Sequence, residues 1–270
     1  MNPQVLKMYA RILNPEISLP VAFVVFLSSF IASSPSVLAA VSAFLVSSCA
    51  LIINDFINIP KYRMKNPDKS MLSRKISLKF VSVIMTSMGI IGCLLAYVVS
   101  PQLLFISIIS IILFSLYSWK LKELFFSEII IGILIHFIVL SGGIAAGNAS
   151  VVFHLSVIVF FSSVSFIIYS HIQDFMKNKR HDHTLVTKLG LFKSRMAADI
   201  FIIVSILLSF VPFLLGVLGS VYMFFIIISD IIFLLAMALP KKTVLVMKIA
   251  FVFLFIAFIM ASLEVSILGL

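Results

Sequence analysis

Polar side chains that could bind a cation or a phosphate stand where a long apolar run of the sequence ends. Asn54, Asp55 and Asn58 close this run, and Asp68 follows it. Asp55 and Asn58 are three positions apart and share a face if the helix continues, although Pro60 is expected to limit its length. Mg²⁺ prefers oxygen ligands and usually shares its coordination shell with water and substrate phosphates. The pattern therefore indicates chemistry with a cation or a phosphate.

A second polar stretch, residues 171–190, ends another apolar run much later in the chain. His171, Asp174 and Asn178 recur in it at helical spacing and mirror the first stretch. The histidines of this stretch could instead form a zinc site, but the surrounding loop is basic and no further Cys or His ligand lies nearby. Two acidic segments that are far apart in sequence therefore form the pattern that a function must explain.

The elements that position these residues are expected to be membrane-spanning helices. Of the 270 residues, 62% are hydrophobic and 11% are charged, whereas soluble domains contain about 45–50% and about 25%. The apolar blocks are about 20 residues long and lack the alternation that a membrane barrel requires. We therefore predict an all-α, polytopic membrane protein with a single domain, residues 1–270. The predicted crossings, about nine, are roughly 17–33, 36–54, 76–99, 102–118, 127–146, 151–170, 192–215, 218–239 and 244–264.

The distribution of the net charge of +10 indicates topology rather than nucleic-acid binding. Lysine and arginine fall on one side of the predicted crossings, in the N-terminal segment and in or next to alternate connections, and the connections around Ser34–Ser36 and Gly147–Ser150 carry no charge. By the positive-inside rule, the charged connections and the N-terminus are expected in the cytoplasm, with the C-terminus outside. The same cations could bind anionic head groups or a diphosphate.

Two further segments combine polar and charged side chains at the predicted membrane surface. Arg11 and Asn14 precede the first crossing and are either an interfacial anchor or a contact for an acceptor substrate. Residues 117–122 contain an aromatic belt followed by lysines, which is common at cytoplasmic interfaces. A lysine at this position could equally neutralise a diphosphate.

Two acids stand out in the predicted crossings of the last third of the chain. Asp199 lies near the start of the seventh crossing and Asp230 in the middle of the eighth. An intramembrane acid is a functional candidate by default. For Asp230 we favour a neutral carboxyl that is hydrogen-bonded between helices, because no cation lies at the same depth.

The polar segments resemble the UbiA superfamily of intramembrane prenyltransferases. The first family motif, Asn-Asp-x-x-Asp-x-x-x-Asp, reads here Asn54-Asp55-x-x-Asn58-x-x-x-Tyr62. The following Asn-x-Pro-Asp-Arg-Pro reads Lys65-x-Pro67-Asp68-Lys69-Ser70. The Tyr-Ser-x-x-Leu-Lys element matches Tyr117-Ser118-Trp119-Lys120-Leu121-Lys122. The second motif, Asp-x-x-Asp-x-x-x-Asp with Thr-Leu-Pro-x-x-Leu-Gly, reads His171-x-x-Asp174-x-x-x-Asn178 and Thr184-Leu185-Val186-x-x-Leu189-Gly190.

The resemblance implies a bundle around a central cavity, with Mg²⁺ and a prenyl diphosphate held by the two motifs at the cytoplasmic mouth. Ionisation of the diphosphate gives an allylic cation, which an acceptor captures. The implied catalytic residues are Asp55, Asp174 and Lys122. The implied metal ligands are Asn54, Asp55, Asn58, Asp68, Asp174 and Asn178. The implied contacts to diphosphate or acceptor are Arg11, Asn14, Asn54, Lys65, Asp68, Lys69, Tyr117, Lys120 and Lys188.

Several positions depart from the family pattern. Asn58, Tyr62, His171 and Asn178 stand where the family has Asp, and Lys69 replaces its Arg. Asn keeps an oxygen ligand without the charge, whereas Tyr and neutral His are poor magnesium ligands. We therefore expect weaker metal binding than in a fully acidic site. One hypothesis is that nearby lysines or a protonated histidine at 171 supply part of the charge balance.

The favoured function is transfer of a geranylgeranyl group from its diphosphate to a glycerol phosphate ether-lipid precursor. One alternative is prenylation of an aromatic quinone precursor. A second alternative, motivated by the replaced Asp positions, is a degenerate member that binds prenyl lipids without turnover. A transporter that uses Asp230 fits the number of crossings but leaves the paired motifs unexplained. Beyond its substrates, the chain is expected to contact membrane lipids and no nucleic acid.

Overall fold

The fold is all-helical throughout the part of the chain that the computed structural model describes, residues 13–65, 78–124, 126–177, 185–240 and 242–268. The helices are α1 Pro15–Ile31, α2 Val37–Lys65, α3 Leu78–Val99, α4 Pro101–Trp119, α5 Ser127–Ala145, α6 Ala149–Met176, α7 Leu185–Ser209, α8 Val211–Leu214, α9 Ser220–Ala238 and α10 Thr243–Leu268, with a 3₁₀ turn at Leu121–Glu123. Within these described residues, eight segments are long and apolar enough to cross a membrane, and α1, with 17 residues, is shorter. The predicted polytopic helical fold is confirmed.

Three helices run beyond the apolar blocks from which they were predicted. α2 continues to Lys65, α6 reaches Met176, and α7 begins at Leu185. The expectation that Pro60 limits the second helix was wrong. A proline removes one backbone hydrogen bond, and the remaining bonds of a long helix can carry it across that position. The helices therefore extend into the polar motifs and place motif residues on regular helical faces.

The first of two compact units comprises Met1–Phe26 and Ser36–Leu121. Within it, α2 packs against α3 and α4. The Ser42 hydroxyl donates a 2.8 Å hydrogen bond to the Gly92 carbonyl of α3. A Cβ added at Gly92 would lie 3.0 Å from Cγ2 of Val46. Small residues thus let α2 and α3 approach closely, which is the usual mode of helix packing in membranes.

The second unit comprises Leu27–Pro35 and Lys122–Leu270, and contains α5 to α10. Serine hydroxyls donate to backbone carbonyls of neighbouring helices in this unit. Ser165 of α6 bonds to Ala198 of α7 at 2.8 Å, and Ser229 of α9 bonds to Ala250 of α10 at 3.0 Å. Each such bond satisfies a hydroxyl that has no water partner in hydrocarbon.

Asp230 is 6% exposed and is hydrogen-bonded between helices, as predicted. Its Oδ2 accepts a 2.7 Å hydrogen bond from the Ser209 hydroxyl of α7. The Tyr222 hydroxyl donates to the Ser209 carbonyl at 2.9 Å. These contacts tie α9 to the end of α7 and give Asp230 a structural role. Its neutral charge state stays a prediction.

Gly190 interrupts α7 near its start. Its φ of 79° and ψ of 167° lie in a region that is essentially restricted to glycine. A Cβ at this position would meet no atom within 4 Å, so the requirement for glycine is conformational rather than steric. The break redirects the chain immediately before Leu191 and Phe192, which line a cavity of the second unit.

Candidate functional site

The first polar motif lies at the polar end of α2, where Asp55 is bound by a residue that precedes α1. The Asn14 side-chain nitrogen donates a 3.2 Å hydrogen bond to Asp55 Oδ2. Asn14 has a φ of 47°, which Asn tolerates better than most residues. Its carbonyl accepts the backbone N–H groups of Ile17 and Ser18, both at 3.0 Å. The turn that starts α1 therefore also aims the Asn14 amide at the motif carboxylate.

Two asparagines complete the described part of this motif. The Asn58 side-chain nitrogen donates to the Asn54 carbonyl at 2.7 Å and to Asn54 Oδ1 at 2.9 Å. Asn58 is 7% exposed. These bonds fix the orientation of both amides on one side of α2, one helical turn apart. Asp55 is the single carboxylate among the described residues of the motif, because Asp68 lies outside the described residues.

The second polar motif lies at the end of α6 and is held by a carboxylate that the sequence analysis missed. Glu128 Oε1 lies 2.9 Å from His171 Nδ1 and accepts the Leu185 backbone N–H at 3.2 Å. The Ser127 hydroxyl donates to Glu128 Oε2 at 3.2 Å. Because a carboxylate accepts, Nδ1 of His171 carries the proton in this contact.

The Glu128 carboxylate is the most enclosed part of this network. Its side chain is 2% exposed, whereas the side chain of His171 is 22% exposed. One buried carboxylate thus joins the first turn of α5, the motif face of α6 and the first residue of α7. Its sequence signal was an isolated acid within a predicted crossing, the same signal that marked Asp199 and Asp230.

Asp174 follows His171 by one helical turn on α6 and is partly exposed. It is the carboxylate of the second motif that the structure describes. Tyr117 is partly exposed on α4, and Lys120 is exposed where α4 ends. Lys122 lies in the 3₁₀ turn, and Lys188 is exposed near the start of α7.

Five candidates of the sequence analysis remain predictions. Lys65 is the last residue of α2. Four others lie outside the described residues: Arg11, Asp68, Lys69 and Asn178. Their assignments stay predictions.

The described donor groups fit a magnesium ion better than a transition metal. No three His, Cys, Asp or Glu side chains of the described residues come together as a metal centre. Asn54, Asp55 and Asn58 of the first motif offer hard oxygen atoms that include one carboxylate, and Asp174 is the carboxylate described for the second motif. Mg²⁺ commonly uses one or two carboxylates and completes its shell with water and substrate phosphates.

The Glu128 network yields a prediction about stability. Replacing Glu128 with Ala leaves the His171 and Leu185 N–H groups without their acceptor and should lower the free energy of unfolding by about 3 kcal/mol. Glu128→Gln keeps one side-chain oxygen and should lose less. Chemical unfolding of the detergent-solubilised protein measures both. Glu16→Ala, at an exposed position, is the control, and an equal effect of Glu16→Ala and Glu128→Ala would contradict the role of Glu128.

Comparison with known proteins identifies the family of the chain. The model of the UbiA prenyltransferase family matches residues 17–259. Digeranylgeranylglyceryl phosphate synthase from Methanosphaera stadtmanae is 27% identical over 97% of this chain and 100% of its own length. A solved structure from a study of digeranylgeranylglyceryl phosphate synthase in membranes has a TM-score of 0.86 at 25% identity, covering 96% of this chain and 99% of that one.

A more distant solved structure shares the fold alone. It is a UbiA homologue from Archaeoglobus fulgidus bound to DMAPP and Mg²⁺, with a TM-score of 0.59 at 14% identity, covering 90% of this chain and 85% of that one. The family match over most of the sequence confirms the predicted resemblance and the prediction of a prenyltransferase. The chain belongs to the UbiA prenyltransferase family of multi-pass membrane proteins.

Proposed function

We propose that this chain transfers a geranylgeranyl group from its diphosphate to the hydroxyl of a glycerol phosphate lipid that already carries one such group. The observation that carries the proposal is similarity over the whole length of relatives named digeranylgeranylglyceryl phosphate synthase. Further archaeal relatives carry the same name. The solved structure with a TM-score of 0.86 comes from a study of the same enzyme.

The oxygen donors of the two motifs would hold Mg²⁺ with the diphosphate. The candidate ligands are Asn54, Asp55, Asn58, Asp68, Asp174 and Asn178. When bound, Mg²⁺ would neutralise negative charge that develops on the leaving diphosphate. The partial loss of acidic residues predicts that this contribution is smaller than in a fully acidic site.

The chain itself orients these donors before substrate binds. Asn14 holds one oxygen of Asp55, and the Asn54–Asn58 pair fixes two amides on the same helix. A metal-binding side chain that is already oriented loses less conformational entropy when Mg²⁺ binds. We therefore assign Asn14, predicted to contact substrate, a positioning role toward Asp55.

Cations near the motifs would stabilise the leaving group. Lys120 follows α4, Lys122 lies in the 3₁₀ turn, and Lys188 lies in the first turn of α7. A flexible ammonium suits a point contact to a phosphate. Lys122 is proposed to donate to the departing diphosphate as its bond to the allylic carbon breaks. Arg11, Lys65 and Lys69 are proposed as further contacts to diphosphate or acceptor.

His171 would contribute through its exposed edge. Its Nδ1 is occupied by Glu128, which directs the other ring nitrogen away from that carboxylate. Because Nδ1 carries the proton of the neutral ring, the other ring nitrogen would donate to a phosphate oxygen only in the imidazolium form, at a position where the family places a metal-binding Asp. The described second motif then combines one carboxylate, Asp174, with one potential donor.

We also propose the membrane orientation that the charge distribution indicates. The N-terminus and the helix ends that carry the motifs would face the cytoplasm. The charged diphosphate group of the donor would stay in water on that side. The lipid tail of the donor and the acceptor would remain in the hydrocarbon phase.

A transfer assay tests this proposal. Purified protein with labelled geranylgeranyl diphosphate, Mg²⁺ and geranylgeranylglyceryl phosphate should form the doubly prenylated lipid. Asp55→Asn and Asp174→Asn should each lower kcat/KM by about 100-fold or more, because charge stabilisation of the leaving group is lost. Asp230→Asn, a buried acid outside the motifs, is the matched control and should keep activity.

The alternatives give different outcomes in the same assay. Transfer to an aromatic acid but not to the glycerol phosphate lipid would favour the quinone branch. Tight binding of geranylgeranyl diphosphate without transfer to any acceptor would favour a degenerate binding protein. Full activity of both motif variants would overturn the assigned site.

The contact between Asn14 and Asp55 gives a prediction about metal dependence. Asn14→Ala leaves Asp55 without its orienting donor and should raise the Mg²⁺ concentration for half-maximal activity by about 10-fold, in the range found for residues that support metal ligands. Magnesium titration of the transfer rate measures the shift. Asn148→Ala, at an exposed loop position, is the control. An unchanged titration for Asn14→Ala would show that Asn14 does not support a metal ligand.

A further inference from the structure

A cavity of about 330 Å³ lies within the second unit, at one end of α6, α7 and α10. Its walls include Tyr169, Gln173, Phe192, Arg195 and Val244. Pro240, in the connection between α9 and α10, closes a further side. These positions lie within about three turns of a helix end, so the cavity lies near the level at which this unit would leave the hydrocarbon.

The cavity is separate from the proposed diphosphate site. Tyr169, Gln173 and Met176 line it from α6. At about 100° per residue, these positions point away from His171 and Asp174, which lie on the opposite face of the same helix. The family motif therefore does not account for this cavity.

A fixed cation forms one wall. The Nη2 atom of Arg195 donates a 2.8 Å hydrogen bond to the Met237 carbonyl in the last turn of α9. Its side chain also interacts with the Tyr169 hydroxyl, and that hydroxyl donates to Asp199 Oδ1. A guanidinium has five N–H donors, so the bond to Met237 anchors it and leaves donors for a ligand. Gln173 adds an amide to the same cavity.

The rim of the cavity is apolar and open. Phe192 is 76% exposed and Met176 is 60% exposed, and both line the cavity. In a membrane, exposed apolar side chains contact lipid chains. The cavity thus combines a cationic wall with an apolar rim, a combination that matches an amphipathic ligand with a negative head.

The charges around the cavity favour an anion. Lys177, Lys193 and Lys242 are exposed on the segments that form the cavity. The carboxylate of Asp199 accepts the hydrogen bond of the Tyr169 hydroxyl. Basic pockets between membrane helices on the cytoplasmic side commonly bind anionic lipid head groups. Arg is well suited to this role because its planar fork matches phosphate oxygens.

We propose that this cavity binds one membrane lipid through a phosphate-containing anionic head group, with Arg195 and Gln173 contacting the phosphate and the lipid chains lying along Phe192 and Met176. The site would keep a structural lipid attached to the α6, α7 and α10 ends. The inference does not depend on the proposed transfer activity, because lipid binding is measured without prenyl donor or acceptor.

Native mass spectrometry of the delipidated full chain in detergent tests this site. The probes are dioleoyl phosphatidylglycerol, dioleoylglycerol and inorganic phosphate. One phosphatidylglycerol should bind per chain, at least 10-fold more tightly than dioleoylglycerol. Inorganic phosphate alone should compete poorly because it lacks the chains. Arg195→Gln should weaken phosphatidylglycerol binding by at least 10-fold, and Lys79→Gln, a control at an exposed lysine of α3 in the first unit, should not.

A second variant protects the test against misfolding of Arg195→Gln. Val244→Phe fills the cavity and leaves Arg195 in place, and it should also weaken phosphatidylglycerol binding by at least 10-fold. Equal binding of dioleoylglycerol and phosphatidylglycerol would overturn the role of the head group. Displacement of the lipid by inorganic phosphate at a similar concentration would indicate a free-ion site and overturn the lipid assignment. Wild-type affinity in Val244→Phe would place the lipid elsewhere.

Discussion

The buried carboxylate of Glu128 is the interaction on which the second motif depends. A charged group that is 2% exposed is costly unless several donors satisfy it. Here the donors come from His171, from the Leu185 backbone and from Ser127. The first of these is the opening residue of the motif, and the second begins α7. The geometry of the second motif is therefore set by a residue that lies outside it.

This arrangement explains one departure from the family pattern in physical terms. Where the family has an Asp, this chain has His171, and a carboxylate from the neighbouring helix α5 lies beside it. The acidic group is thus present near the motif but is buried and already occupied. The first motif differs, because Asp55 is held by a neutral donor, Asn14, and stays partly exposed. Each described motif consequently presents one partly exposed carboxylate.

Local patterns in the sequence predicted the helices and the motif faces, because hydrophobic length and helical spacing are local properties. They also predicted the interhelical hydrogen bond of Asp230, because hydrocarbon allows few other solutions for an acid. Helix ends were predicted less well. α2 and α6 continue past the apolar blocks, since a helix needs no apolar residues once it leaves the hydrocarbon.

Contacts between distant segments could not be predicted. Glu128 and His171 are 43 positions apart, and no periodic pattern links an isolated acid to a motif on another helix. The same limit applies to Arg195 and the Met237 carbonyl, 42 positions apart. These pairings depend on how α5, α6, α7 and α9 pack, and therefore on side chains distributed over the whole second unit.

If Glu128 and His171 form a matched pair, replacing the histidine with a second carboxylate and then neutralising Glu128 tests the pairing most directly. Thermal unfolding is compared for wild type, Glu128→Gln, His171→Asp and the double variant in the same detergent. We expect His171→Asp to be the least stable, because two carboxylates then face each other, and adding Glu128→Gln should recover much of the loss. Wild-type stability of His171→Asp, or no recovery in the double variant, would contradict the account.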